Sequence, residues 1–204
     1  MCGNAGWNGD PNLHITAMEN NIHSRQGLPT EMQILLREYP RDAWPGHPNF
    51  ARSIQNWMGA HQMFRRLATL SRAETEAFLD KSRDPAEFAR RFGYYGDLLV
   101  RNLHGHHGWE DHEFFPELSR ADPRFDQGLE MLEGDHLELD QVLEAFQRTG
   151  NRAIKLTHLE PAQAYEEAGT LLNHTAAIEA FLVRHLTDEE ELVVPIILHH
   201  KLRG

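Results

Sequence analysis

The chain of 204 residues carries 20 Lys and Arg against 31 Asp and Glu, a formal net charge of −11. A surface that acidic repels phosphate backbones and anionic headgroups, so neither nucleic acid nor membrane is an expected partner. A single cysteine, Cys2, excludes an internal disulfide and any all-cysteine metal site, and the 14 histidines make His, Asp and Glu the candidate ligands for any metal.

Hydrophobic residues are 40% of the chain, enough for one folded domain. No apolar run approaches the roughly 20 residues that span a bilayer. The first ten residues have neither the basic start nor the apolar core of a signal peptide, so a cytoplasmic location is expected.

Residues 1–48 are rich in glycine and proline and weak in periodicity. They read as an irregular extension packing on the domain that follows, with a short helix over 31–38. A first long helix is predicted over 50–70, with the stripe Phe50, Ile54, Trp57, His61, Phe64, Ala68. A shorter helix follows over 72–81. The second long helix opens at Asp84-Pro85-Ala86-Glu87, where Asp suits the N-cap, Pro the first helical position and Glu a capping box. Its stripe is Phe88, Phe92, Tyr95, Leu99, Leu103, His106, Glu110, and Pro116 is expected to close it. The third opens at Asp122-Pro123, carries Phe125, Leu129, Leu132, His136, Leu139, Leu143, Phe146, and is expected to stop at Thr149-Gly150. The fourth starts near Pro161, carries Leu171, Thr175, Ile178, Leu182, His185, Glu189, and ends or bends at Pro195. Four long amphipathic helices and no hairpin signal predict an all-α protein. The expected architecture is an antiparallel up-down-up-down four-helix bundle over 49–204.

The second and fourth helices share a pattern. Counted back from Pro116 and Pro195, His106 matches His185, Glu110 matches Glu189, and Asp111 matches Glu190. The first and third helices each place one stripe histidine, His61 and His136. A His and a Glu four residues apart point from one helix face. Two carboxylates buried without partners would cost several kcal/mol each. Two metals about 3.5–4 Å apart, each with two imidazoles and sharing two carboxylates, use the whole set: His61, His106, Glu110, His136, His185 and Glu189. Nitrogen and oxygen donors without thiolate suit iron, with manganese or zinc as alternatives.

These residues carry a resemblance. His61, then His106-His107-Gly108-Trp109-Glu110-Asp111 before Phe-Phe-Pro, then His136, then His185-Leu186-Thr187-Asp188-Glu189-Glu190 before Val-Val-Pro, are similar to the motifs of the hemerythrin-like, or HHE cation-binding, proteins. The resemblance covers about residues 50–200. It implies a four-helix bundle holding two iron ions joined by an oxo or hydroxo bridge, with a position open to dioxygen or a related small molecule. On this pattern His61 and His106 serve one iron, His136 and His185 the other, and Glu110 and Glu189 bridge. The oxygen-carrying members place a second histidine four residues after the third-helix histidine, where this chain has Asp140. Their fourth-helix carboxylate stands five residues after the histidine, which points to Glu190, whereas the internal repeat favours Glu189. Asp140 in place of an imidazole is expected to favour oxidised iron and to disfavour reversible oxygen carriage.

Other histidines are assigned outside the site. His107 points about 100° away from His106 around the helix and reads as a flank residue. His104 and His112 read as solvated. His174 lies about 16 Å up the helix from His185, and with its repeat mate Tyr95 is expected to pack in the core. His199 and His200 fall at a terminus. Arg65 is the repeat counterpart of Asp140 and a candidate to pair with it. The Met1-Cys2-Gly3 start also resembles that of cysteine-nucleophile amidotransferases, whose large β-rich domain has no counterpart here. Glu133 and His136 make a lone Glu-xx-His where ferritin-like sites need two.

Three functions fit this reading. The first is a non-enzymatic di-iron protein that binds or senses dioxygen, nitric oxide, peroxide or iron. The alternative is a di-iron oxidase or peroxidase acting on a small organic substrate, in a pocket shaped by the extension with Trp57, Trp109 and Tyr95. The third is a structural bundle with incidental metal.

Overall fold

A computed structural model describes residues 21–202; Cys2 and the first 20 residues of the extension lie outside them. The described residues are all-helical, with six α-helices and no strand. Helix α1 (Ile34–Glu38) sits between 3-10 turns at Thr30–Met32 and Arg41–Gly46. The long helices are α2 (Arg52–Leu79), α3 (Pro85–Trp109), α5 (Asp126–Leu159) and α6 (Pro161–His200). A π turn at Glu110–Phe114 joins α3 to α4 (Phe115–Ala121). No helix among the described residues is long and apolar enough to cross a membrane.

The helix starts follow their capping chemistry. The Asp84 carboxylate accepts the Ala86 and Glu87 amides at 3.0 Å each, with Pro85 behind it. Several expected stops are overridden. The helices expected over 50–70 and 72–81 are one helix, α2. No glycine or proline stands at the junction over 70–72, and the buried Thr75 hydroxyl donates to the Ser71 carbonyl at 2.9 Å, so its polar side chain is satisfied on the helix. At Pro116 the chain passes through the π turn, where the Phe115 amide donates to the Glu110 carbonyl five residues back, and helix resumes. Gly150 is interior to α5 and ends nothing. A Cβ there would stand 2.5 Å from the Phe92 ring, so glycine lets α3 approach. Helix α6 continues through Pro195.

Helices α2 and α5 each pack on both α3 and α6. The core forms two apolar clusters. One holds Phe64, Phe78, Phe88, Leu99, Leu143 and Leu182. The other holds Ile54, Trp57, Phe114, Leu132, Leu192 and Ile196, and is completed by Leu28, Met32, Leu35 and Trp44 from the segment before α2. Every long helix runs from one cluster to the other, and the polar residues lie between. On α2 the order is Ile54, His61, Phe64; on α3, Leu99, His106, then Phe114 past the π turn. On α5 it is Leu132, His136, Leu143; on α6, Leu182, His185, Leu192.

Candidate metal centre

That polar layer is built by all four long helices. His61 comes from α2, His106 and His107 from α3, His136 from α5, and His185 and Glu189 from α6; Glu110 opens the π turn. Of these only His106 is more than marginally exposed. Their donor atoms fall into two groups. His61, His106, Glu110 and Glu189 each offer an atom within 4.8 Å of the others, and so do His107, His136 and His185.

The two carboxylates belong to the first group and also face the second. Glu110 Oε1 is 2.9 Å from His106 Nε2, and its Oε2 is 3.9 Å from His136 Nε2. Glu189 Oε2 is 3.5 Å from His61 Nε2 and 3.8 Å from His185 Nε2. The Trp57 indole donates to Glu110 Oε1 at 2.6 Å, which fixes the carboxylate plane.

The donor set fits a cation. Both ring nitrogens of His107, Nε2 of His136 and of His185, Oε2 of Glu110 and both oxygens of Glu189 are buried without a hydrogen-bond partner. An orphaned buried polar group costs about 1–3 kcal/mol, so such a concentration is destabilising unless something else binds there. The atoms converge, and they are nitrogen and oxygen donors of the kind that iron, manganese or zinc accept.

The outward nitrogens are tied down by acids. His61 Nδ1 is 3.0 Å from Glu190 Oε1, His136 Nδ1 is 2.7 Å from Asp111 Oδ1, and His185 Nδ1 is 3.2 Å from Asp135 Oδ2. A carboxylate on Nδ1 holds the proton there and leaves Nε2 as a lone-pair donor facing the centre.

Electrostatics prepare the same state. Burial lowers His61, lowers His107 well below its ordinary value, and takes His185 down to about 4, so these rings are neutral at pH 7. Burial works to raise Glu110, but the His106 hydrogen bond and charge outweigh it and hold the group at about 2. Burial and the neighbouring Glu110 charge push Glu189 well up. Two carboxylates crowded in a dry site cannot both ionise without positive charge between them.

The structure brings His61, His106, Glu110, His136, His185 and Glu189 into one layer. It also adds His107, which the sequence reading placed on the flank. His107 is buried and its ring stacks on His136 with centroids 4.0 Å apart. The signal was present in the helical wheel. Glu110 lies about 40° from His106 and about 60° from His107, so a carboxylate facing the middle of the layer puts one imidazole on either side.

Two other expectations are corrected. Asp140 is exposed and faces His104, at 3.3 Å, away from the layer. The place of a third imidazole in one group is filled by His107, so the argument that Asp140 disfavours oxygen carriage loses its basis. Arg65 pairs with Glu190 at 3.1 Å instead of with Asp140. Of the two adjacent acids on α6, Glu189 faces the layer and Glu190 backs His61. Elsewhere, His112 is exposed and donates to the Gly108 carbonyl at 2.7 Å, and His174 is half-buried outside both donor groups. His199 meets the Tyr39 hydroxyl at 3.1 Å, and His200 meets Asp122 at 2.8 Å.

An all-helical fold with a buried His/carboxylate layer of this kind defines a cation-binding helical protein. Residues 52–197 match the family model of the hemerythrin HHE cation binding domain, and the chain belongs to that family. Comparison with curated proteins and with solved structures finds no match.

Proposed function

We propose that this chain is a di-iron protein that binds or senses dioxygen or a molecule of similar size, nitric oxide or peroxide among them. The observation that carries the reading is the pair of donor groups, with Glu110 and Glu189 in one of them and within 3.9 Å of His136 and His185 in the other, and with Glu110 Oε2, both Glu189 oxygens and the Nε2 atoms of His107, His136 and His185 buried and unpartnered. In this assignment His61 and His106 hold one iron, His107, His136 and His185 the other, and the two glutamates bridge. Three imidazoles against two would supply the irons unequally, and the side held by His61 and His106 would be the one with room for a small molecule. A ferrous/ferric pair supplies one- and two-electron chemistry toward such molecules when bound. The chain's own residues keep the imidazoles neutral, aim their Nε2 atoms and exclude water. The alternation of the clusters along successive helices supports an antiparallel up-down-up-down bundle around the centre.

The cavity beside Trp57 favours a small ligand over an organic substrate. It is lined by Ser53, Ile54, Trp57, Trp109, Phe114 and Ile197 and holds about 40 Å³. Pockets for organic ligands run to about 300–1,000 Å³. The acidic surface supports the same preference for a small molecule over nucleic acid or membrane, and a cytoplasmic setting suits the near absence of cysteine.

The test is anaerobic reconstitution with Fe(II), elemental analysis, and optical spectra before and after dioxygen or nitric oxide. Two irons per chain and a spectrum that responds to either gas are expected. Trace metal after reconstitution, or a spectrum indifferent to both gases, overturns the reading.

A further inference from the structure

Residues 21–51 lie before the stretch matched by the family model, yet two of their arginines reach the acids that back the histidines. Arg25 is the more deeply placed. Its side chain is 1% exposed, and it donates to Asp135 at 2.5 and 3.3 Å and to Asp188 at 2.7 Å. A buried guanidinium is tolerated only when its donors are matched, and here two buried acids match them. Asp135 Oδ2, which takes Arg25, is also the atom beside His185 Nδ1. The relay runs Arg25, Asp135, His185.

Arg41 makes a second relay into the other donor group. Its Nη1 lies 2.7 Å from Glu190 Oε2, while Glu190 Oε1 faces His61 Nδ1. The guanidinium sits 4.8 Å over the Trp44 ring, and Trp44 is itself buried, with its indole donating to the Tyr39 carbonyl at 2.7 Å. Arg65 from α2 shares Glu190 with Arg41.

We propose that the segment from residue 21 to 46 is a strap that holds both halves of the metal centre in register, with Arg25 and Arg41 as positioning residues for His185 and His61. The strap's apolar residues bury it against the second cluster, and its arginines hold both oxygens of Asp135 and Oε2 of Glu190. The carboxylate then keeps its line to the imidazole Nδ1, and the imidazole keeps its Nε2 on the metal. The two relays are unequal. Asp135 depends on Arg25, whereas Glu190 keeps Arg65 when Arg41 is removed. The proposal rests on the metal reading above, and it adds that metal retention is controlled from outside the matched domain.

The test measures how fast the full-length, Fe(II)-loaded protein gives up iron to excess chelator under anaerobic conditions. Changes to residues that orient metal ligands cost roughly 10–100-fold in metal affinity. Arg25→Met is expected to speed release by roughly that factor, with Arg25→Lys between it and the parent chain. Arg41→Met alone is expected to give a several-fold change, and Arg41→Met with Arg65→Met to approach the Arg25→Met value. Arg72→Met is the control. Arg72 ties α2 to α6 through Glu179 at 2.9 Å and touches no backing acid, so it should release iron at the parental rate. Parental rates in Arg25→Met and in the Arg41/Arg65 pair overturn the strap, as does equal acceleration in Arg72→Met. Should Arg25→Met fail to fold, the Arg41/Arg65 pair decides by the same rates. A parent chain that takes up only trace iron refutes the metal reading, which is a different outcome from a loaded parent with unaffected variants.

Discussion

The end of α3 and the middle of α6 begin as near-copies and finish as different structures. Each has a histidine, a glutamate four residues on, an acid five on and a proline ten on. Helix α6 runs unbroken through its proline to His200, while α3 gives way to a π turn at Glu110 and a short α4 that stops at Ala121. Helix α6 places one imidazole in the layer. Helix α3 places two, because the residue after His106 is His107, where α6 has the buried apolar Leu186. The shared pattern therefore accounts for the bridging carboxylates and one imidazole from each motif. The inequality between the donor groups comes from one residue that the repeat does not share. The acids differ too: Asp111 backs His136 on α5, and Glu190 backs His61 on α2, so each motif also orients a histidine on a different helix.

The largest effects should follow from breaking what the motifs share. Glu110→Gln and Glu189→Gln keep side-chain volume but remove the charge facing both donor groups. Each is expected to reduce bound iron to trace levels in elemental analysis. Retention of both irons in either variant would show that the carboxylate does not bridge. Breaking what the motifs do not share should cost less. His107→Leu copies Leu186 and makes the two groups alike in imidazole count. Loss of one of the two irons is expected, with the other retained, and the spectrum of the remaining iron should report a mononuclear site. Both irons present at parental occupancy would place His107 outside the coordination sphere.

Removing the metal tests both motifs together. Emptying the layer leaves its orphaned atoms uncompensated, and ligand binding to the native state adds about 2.7–4.1 kcal/mol at 100–1,000 times the dissociation constant. For a chain of this size that corresponds to a melting temperature about 5–15 °C lower after chelation, restored by Fe(II). An unchanged melting temperature would mean that the layer is satisfied without metal.

Much of this was legible in the sequence for a physical reason. The four stripes alternate apolar residues at 3–4 spacing and each meets a histidine, so the long helices and the convergence of His61, His106, His136 and His185 follow from periodicity. The helix stops were less legible. Gly150 and Pro195 are breakers by local preference, but close approach of Phe92 at one and burial of the whole segment at the other outweigh it. His107 was missed because a stripe drawn as a line through His106 is narrower than a centre with two halves. The backing acid Asp135 and the strap's Arg25 and Arg41 carry no spacing signal. They come together only through tertiary packing, across 110 positions in the case of Arg25 and Asp135.

The smallest effect probes how the interrupted arm is joined to the continuous one. Asp122, just past the end of α4, is 4% exposed. Its carboxylate takes Arg124 through two bonds of 2.7 Å and faces His200 Nε2, at the end of α6, at 2.8 Å. The Arg124 hydrogen bonds, opposed by burial and aided by His200, hold Asp122 well below the ordinary carboxylate range. A group depressed in the folded state stabilises the fold at any pH above its unfolded value, about 3.9. That contribution fades as pH falls through this value toward the depressed one. At pH 7, Asp122→Asn is expected to melt about 2–4 °C below the parent chain with its iron content unchanged. As pH falls below about 4 the gap should narrow, because the parent then begins to lose the stabilisation that the variant never had. The acids of the metal layer titrate in both proteins, so the difference between the two melting curves isolates Asp122. A gap that does not narrow below about pH 4 would show that the carboxylate's charge does not tie the two arms together, and a loss of iron in the variant would show that this link reaches the centre.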